Sequence, residues 1–501
     1  MDESGLRWIS ERIDVFNDAA LISPTNITGH RENEVTTMDQ QNPMSSALWT
    51  LDELHSISAA YLAGHSLDAK QQAQAINGIQ IDSRRVTAGD LFVPLRAPWA
   101  ERDGHQFIHN AIARGASAYL CADESYRSGQ SIYVQDTFKG LNALARLAVK
   151  RSKNATRIAL TGSSGKTTLR HWLGQMLSNQ GRYHASEGSF NNHLGVPLTL
   201  ARMPRETTLG TFEVGTNHVG EIAPLSRLIE PQLAIVLNVL PVHIGHFPNF
   251  EALVREKLSI TEGINSGLLL CPEAFSDVVQ PRSGLQILTF GTSRAADFVI
   301  DFHPDGQSFE INDRTTPGSA SIIGKAPAVG STYQETAAVA LIIGRLLNHP
   351  LDECISALGH ASLPGGRGRV IDVAGITIID DSYNANPVSM RAALERLART
   401  SAKRRVAVLG EMYELGDLAD QAHEDASRWA SQADDVLLIG SQFASHVRNT
   451  QYRYLPTVDD LDLNHFVAGL ETGDAILVKG SNGVFWKSNW VDRLVAAIEA
   501  R

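Results

Sequence analysis

The stretch "RIALTGSSGKTTLRHWLGQML", residues 157–177, constrains the fold more than any other part of the chain. A short apolar run stops at Gly162-Ser163-Ser164-Gly165-Lys166-Thr167-Thr168 and gives way to an amphipathic helical pattern. Glycines at both ends of such a loop let consecutive backbone amides converge on an anion at a helix N-terminus, where the dipole favours negative charge. Lys166 can then neutralise outer phosphates and Thr167 can ligate a magnesium ion. Only two residues separate the glycines, so the strict Walker spacing is missed. The bland alternative is a Gly/Ser turn with a solvated lysine. The strand–loop–helix context favours phosphate binding, with ATP as the default ligand.

A loop of this kind sits in a parallel α/β sheet, and the flanking sequence agrees. Between residues 135 and 362, strands such as "RIAL", "GTFEVG" and "LAIVLNV" alternate with helical runs at doubly wound spacing. The turn-rich Leu363-Pro364-Gly365-Gly366 reads as a joint. Beyond it, residues 363–501 repeat the alternation and predict a second, Rossmann-like α/β domain. Before residue 135 a small α/β unit begins near residue 47. Residues 1–46 are polar and aperiodic, and are expected to be weakly ordered. The expected fold is therefore α/β with three domains: 47–134, 135–362 and 363–501.

The totals narrow the function. A net charge of -11 speaks against nucleic acid and against anionic membrane as partners. Three dispersed cysteines fit neither a disulfide framework nor a thiolate metal cluster. Nothing approaches the length of a membrane span, and "MDESGLRWISERID" has no apolar signal core, so a cytoplasmic location is expected; a monomer is expected as well.

The motifs "IDSRRVTAGDLFVPL", "TGSSGKTT", "GSFNNHLGVPLTL", "EVGTNHVGEI", "NVLPVHIGHF", "GGRGRV", "DDSYNANP", "VLGEMYELG" and "LVKGSNG" occur in one order from about residue 48 onward. Together they resemble the Mur ligases, ATP-dependent amide-forming enzymes of peptidoglycan synthesis. "DDSYNANP" is most particular to the branch that adds D-alanyl-D-alanine. The resemblance implies a ligase that activates a UDP-muramoyl-tripeptide carboxylate as an acyl phosphate for attack by D-alanyl-D-alanine, with ATP and Mg2+. It implies a UDP-muramoyl-binding role for residues 47–134 and an ATP-binding role for 135–362.

Residue by residue, the resemblance makes Lys166, Glu213, His243, Lys257 and Arg367 the catalytic set. Thr167, Glu213, His243 and Lys257 become metal ligands, Lys257 as a carbamate. Taken from sequence alone, Glu213 could be a solvated alternate strand position and Lys257 a solvated helix lysine. Gly162, Ser163, Ser164, Gly165, Lys166, Thr167, Thr168, Thr336, Arg367 and Asp381 fall on the nucleotide side. Ser83 and Arg84 resemble uridine-diphosphate contacts, and Asn191 and Asn192 resemble residues facing the muramoyl substrate. Tyr383, Asn384 and Asn386 are candidates for holding the dipeptide, while Asp380 and His246 have no assigned role. "LVKGSNG" leaves Lys479 open between a turn and a contact with the closed state or the dipeptide.

Three positions depart from the family pattern. Thr336 stands where an adenine-reading Asn is usual, or Glu335 in a register one residue shorter. Ser259 replaces a Glu after Lys257, and "HIGHF" lacks the acidic residue that commonly follows the metal histidine. They keep two alternatives open: a paralogue joining a different amine and carboxylate, and a non-catalytic nucleotide-binding homologue.

Overall fold

The computed structural model describes residues 47–58, 74–96, 103–178, 181–241, 244–447 and 451–501. The expected extension 1–46 and the candidate His243 lie outside the described residues. The chain divides into two compact units. One comprises the described residues up to Lys153 with Pro197–Arg205; the other comprises Asn154–Val196 with Glu206–Arg501.

In the first unit, β1 (Trp49–Thr50) and β2 (Ala75–Ile76) pair antiparallel. Strands β3 (Gly78–Gln80), β4 (Asp90–Phe92), β5 (Ala118–Cys121) and β6 (Ser131–Tyr133) form a parallel sheet in that order. The unit is anchored on Trp49, which is fully buried and donates its indole N–H to the Ala201 carbonyl at 2.8 Å. The Arg151 guanidinium lies 3.6 Å from the centre of the same ring. It belongs to the helix Thr137–Arg151, whose N-terminus is capped by Asp136.

The second unit holds two sheets. The larger has nine strands: β7 (Thr156–Thr161), β8 (Tyr183–Ala185), β9 (Leu209–Glu213), β10 (Leu233–Val236), β11 (Gly267–Pro272), β12 (Leu285–Gly291), β13 (Phe298–Phe302), β14 (Ser308–Asp313) and β15 (Ile322–Lys325). Their order is β15-β14-β13-β12-β11-β10-β7-β9-β8, parallel except at β13–β14 and β14–β15. After β7 the chain builds to one side and then crosses to the other, so β7 stands at a switch point. Open parallel sheets bind ligands at the carboxyl ends of strands at such points. Thr161 ends β7, and the phosphate loop follows it.

The second sheet contains β16 (Arg369–Val373), β17 (Ile376–Asp381), β18 (Arg404–Gly410), β19 (Asp435–Ile439), β20 (Tyr452–Leu455) and β21 (Asp474–Lys479), in the order β16-β17-β21-β18-β19-β20. Only the β16–β17 pair is antiparallel. Period-2 alternation explains its two cores. Ile379, Leu409 and Leu477 face the helices Pro387–Arg399 and Ala419–Trp429, packing on Met390, Leu394 and Ala426. Their chain neighbours Ile378, Val408 and Ile476 face the other side, packing on Phe466, Trp490 and Leu494. A sheet covered on both faces needs apolar residues throughout, so a polar residue at its edge or end stands out.

Candidate active site

Gly165 precedes the helix Lys166–Leu177 with φ +79°, and a Cβ there would lie 2.8 Å from Leu237 and 2.9 Å from the Thr336 hydroxyl. Both the backbone conformation and the close packing call for glycine. The loop is held open by Asn238, whose Oδ1 accepts from the Ser163 and Ser164 amides at 3.0 Å each. The Ser163 hydroxyl donates to the Leu240 carbonyl at 3.0 Å. Lys166 Nζ folds back onto the Gly162 carbonyl at 2.7 Å. Burial pushes its pKa down; the Glu213 carboxylate opposes that shift and the Arg367 charge adds to it.

Glu213 ends β9 with its side chain 1% exposed, which removes the reading of a solvated alternate position. Its two oxygens are engaged separately. Oε2 accepts from the Thr167 hydroxyl at 2.8 Å and Oε1 from the Asn191 amide at 2.9 Å. Arg170 Nε stands 3.7 Å from Oε2, without a hydrogen bond. Asn192 also lines the cavity, and its Oδ1 accepts from the amides of Leu194 and Gly195.

From the second sheet come Arg367 and the loop after β17. A cavity of about 640 Å³ is lined by the phosphate loop, Glu213 and Asn191, and also by Arg367, Asp381 and Asn384. Arg367 stacks over the Tyr383 ring at 4.1 Å and donates to the Ser189 hydroxyl at 3.3 Å. Tyr383 meets Trp486 edge-on at 5.3 Å. Asp380 and Asp381 divide by strand alternation. Asp380 points inward, 1% exposed, and accepts from the Gly366 amide at 3.0 Å and the Ser382 hydroxyl at 2.6 Å, so it braces the turn that carries Arg367. Asp381 faces the cavity and pairs with Lys479 at 2.7 Å. Asn386 lines the cavity too, but its Oδ1 caps the helix Pro387–Arg399 through the Ser389 amide at 2.9 Å.

Lys257 is buried rather than solvated, on the helix Phe250–Leu258. Burial, with the Lys166 charge nearby, pushes it well below the ordinary lysine range; Glu256 opposes this. Its neighbour Glu256 is also buried and accepts from the amides of Gly220, Glu221 and Ile222, capping the helix Ile222–Ile229 with a carboxylate. Thr336 is buried against the loop, and its hydroxyl donates to the Thr332 carbonyl at 2.8 Å. The Glu335 carboxyl makes no hydrogen bond to a described residue, and burial raises it to about 7. His246 stacks on His218 at 4.8 Å. Ser83 and Arg84 lie in the other unit, on a short 3-10 turn capped by Asp82, with Arg84 exposed and paired to that carboxylate at 2.7 Å.

Asn238 and Glu256 carry no role in the sequence reading. Asn238 falls inside "LAIVLNV", which reads as one strand, whereas β10 stops at Val236 and leaves the amide free for the loop. The signal was a polar side chain at the end of an apolar run, the same signal that Asp380-Asp381 gives at the end of β17.

A phosphate loop at a switch point, with a second, mostly parallel sheet whose loops send an arginine and a carboxylate into the same cavity, defines a protein of the phosphate-loop nucleotide-binding class. Three family models cover most of the chain: Mur ligase family, catalytic domain, over residues 75–159; Mur ligase middle domain, 160–342; and Mur ligase, glutamate ligase domain, 366–482. The UDP-N-acetylmuramoyl-tripeptide–D-alanyl-D-alanine ligase of Treponema pallidum is 30% identical over 85% of this chain and 96% of its own length. The ligase of the same name from Escherichia coli K12 is 31% identical over 80% and 87%. A crystal structure of MurF from Acinetobacter baumannii superposes with a TM-score of 0.77 at 27% identity, covering 89% of this chain and 99% of that one. The chain belongs to the Mur ligase family.

Proposed function

We propose that this enzyme joins D-alanyl-D-alanine to UDP-N-acetylmuramoyl-tripeptide at the expense of ATP, forming an amide bond through an acyl phosphate. The observation that carries the reading is the single cavity lined both by the phosphate loop and by the loop after β17. Relatives bearing that activity in their names, matched over nearly their whole length, support it.

A tripeptide carboxylate oxygen attacks the γ-phosphorus and ADP leaves. The dipeptide amine then attacks the acyl carbon, phosphate leaves, and the amine loses a proton. Both steps bring anions together, so fixed cations aimed at the phosphoryl group lower the barrier. The amides of Gly165 to Thr167 and the Lys166 ammonium hold the phosphates; Arg367, steadied on Tyr383, reaches them from just before the second sheet. Asp381 accepts from the ribose hydroxyls, and Asn191 and Asn192 flank the muramoyl peptide. Tyr383 and Asn384 hold the dipeptide; the Asn386 side chain, occupied as a cap, contributes through the loop it fixes.

The Thr167 hydroxyl and Glu213 carboxylate are hard oxygen donors 2.8 Å apart, a set that suits Mg2+. His243, with Lys257 as a carbamate, would hold a second ion. Bound magnesium would screen the repulsion between ATP and the carboxylate. In this reading 47–134 takes the UDP-muramoyl moiety, 135–362 the ATP, and 363–501 completes the site in a cytoplasmic monomer. No helix among the described residues is long and apolar enough to cross a membrane.

The test is complementation of a bacterial strain lacking its D-alanyl-D-alanine-adding ligase. Growth is expected, and failure of a well-expressed protein contradicts the reading. The Thr336 hydroxyl, engaged by its own helix where the family usually has an adenine-reading Asn, favours one second reading, a non-catalytic nucleotide-binding homologue. Tight ATP binding without turnover separates the two.

A further inference from the structure

Among the described residues, Lys479 is the only charged one of the largest fully buried side chains, which are otherwise aromatic; its side chain is 1% exposed. It ends β21 directly opposite Asp381 at the end of β17. Its ammonium donates to Asp381 Oδ2 at 2.7 Å and to the Asn384 carbonyl at 3.1 Å. The adjoining Asn482 amide donates to the Tyr383 carbonyl at 3.3 Å. With Ser382 bound to Asp380 and Asn386 capping the next helix, the loop backbone is fixed at nearly every residue. The Asn384 side chain is left exposed at the cavity, without a hydrogen bond to a described residue.

An ammonium withdrawn from water is unfavourable unless paired, and replacing a whole buried ion pair by well-packed apolar residues is often neutral or stabilising. Filling the core therefore does not explain a lysine at this position; geometry does. One group fixes the carboxylate on the nucleotide side and the backbone that presents Asn384. We propose that Lys479 is a positioning residue that couples the ATP half of the cavity to the dipeptide half, acting through Asp381 on one side and the Asn384 carbonyl on the other. The dipeptide half of this inference rests on the ligase reading above; the ATP half does not.

The test is a double-mutant cycle of Lys479→Met, Asp381→Asn and the pair. ATP affinity with magnesium is read by calorimetry, and dipeptide KM by steady-state kinetics. Lys479→Met is expected to weaken ATP binding and raise dipeptide KM, each by about tenfold, whereas Asp381→Asn weakens ATP binding with little change in dipeptide KM. In the Asp381→Asn background, Lys479→Met adds less than about twofold to the ATP loss yet still raises dipeptide KM. The double variant melts above Asp381→Asn alone, because no buried charge is left unpaired. A merely structural lysine would not give this split. Multiplying ATP losses, or an unchanged dipeptide KM in Lys479→Met, overturns the proposal. Should Lys479→Met fail to fold, Lys479→Gln takes its place in the cycle. Wild-type protein without dipeptide turnover counts against the ligase reading and leaves the ATP cycle to decide the coupling through Asp381.

Discussion

Burial holds Lys166 below the ordinary lysine value of 10.5, against the pull of Glu213. A bound phosphate needs the protonated form, so ATP affinity falls as pH rises through this depressed pKa. Calorimetry across alkaline pH should show that limb beginning below 10.5 and absent in Lys166→Met. In the proposed mechanism Lys166→Ala removes a charge that neutralises the reacting phosphates, and it should lower kcat by roughly 100-fold or more, about 3 kcal/mol. An unchanged rate would take Lys166 out of the mechanism. Glu335 gives the opposite kind of prediction. Its folded-state pKa is raised from 4.5 to about 7, so between those values the folded state binds more protons than the unfolded state. Its stability contribution is full below 4.5 and is lost as pH rises through about 7, at most roughly 3 kcal/mol. Glu335→Gln should therefore melt higher than wild type at pH about 8 and nearly equal to it at pH about 5. A constant difference between the two melting points would contradict this.

Among the elements, the phosphate loop is the clearest case of local sequence writing local structure. Its glycines, lysine and threonine are contiguous, so its geometry is readable without the rest of the chain. What keeps it open is not contiguous: Asn238 comes from beyond β10 and serves two loop amides. Asn238→Ala orphans both and should weaken ATP binding by roughly tenfold or more, about 1.5–3 kcal/mol, as read by calorimetry. The loop after β17 shows the same limit. Strand period places Asp380 and Asp381 on opposite sides, and the preference of prolines for the first helical turn predicts the helix start at Pro387. That Asp381 would meet Lys479, 98 residues away, is set by β17 pairing with β21. Sequence spacing carries no trace of that pairing. The same holds for Arg367 on Tyr383 and for Tyr383 on Trp486.

At the scale of the molecule, the order of motifs and the alternation of strands and helices disclosed an α/β architecture. Sheet order, and therefore which strand ends face one cavity, came only with the structure. Thr161, Glu213, Asp381 and Lys479 all end parallel strands, and the ends of two different sheets line one space. That arrangement suits chemistry in which a phosphoryl group and an incoming amine must meet away from bulk water. It also explains why the phosphate loop alone could not name the reaction: in the proposed reading the loop holds the phosphates, and the second sheet supplies the loop that presents the attacking amine.

The central claim is tested most directly by incubating the purified protein with UDP-N-acetylmuramoyl-tripeptide, D-alanyl-D-alanine, ATP and magnesium, and measuring ADP, phosphate and the pentapeptide product. Equal amounts of all three are expected, with product formation requiring both substrates. ATP bound tightly but not turned over in the presence of both, or turnover indifferent to the dipeptide, would contradict the assignment.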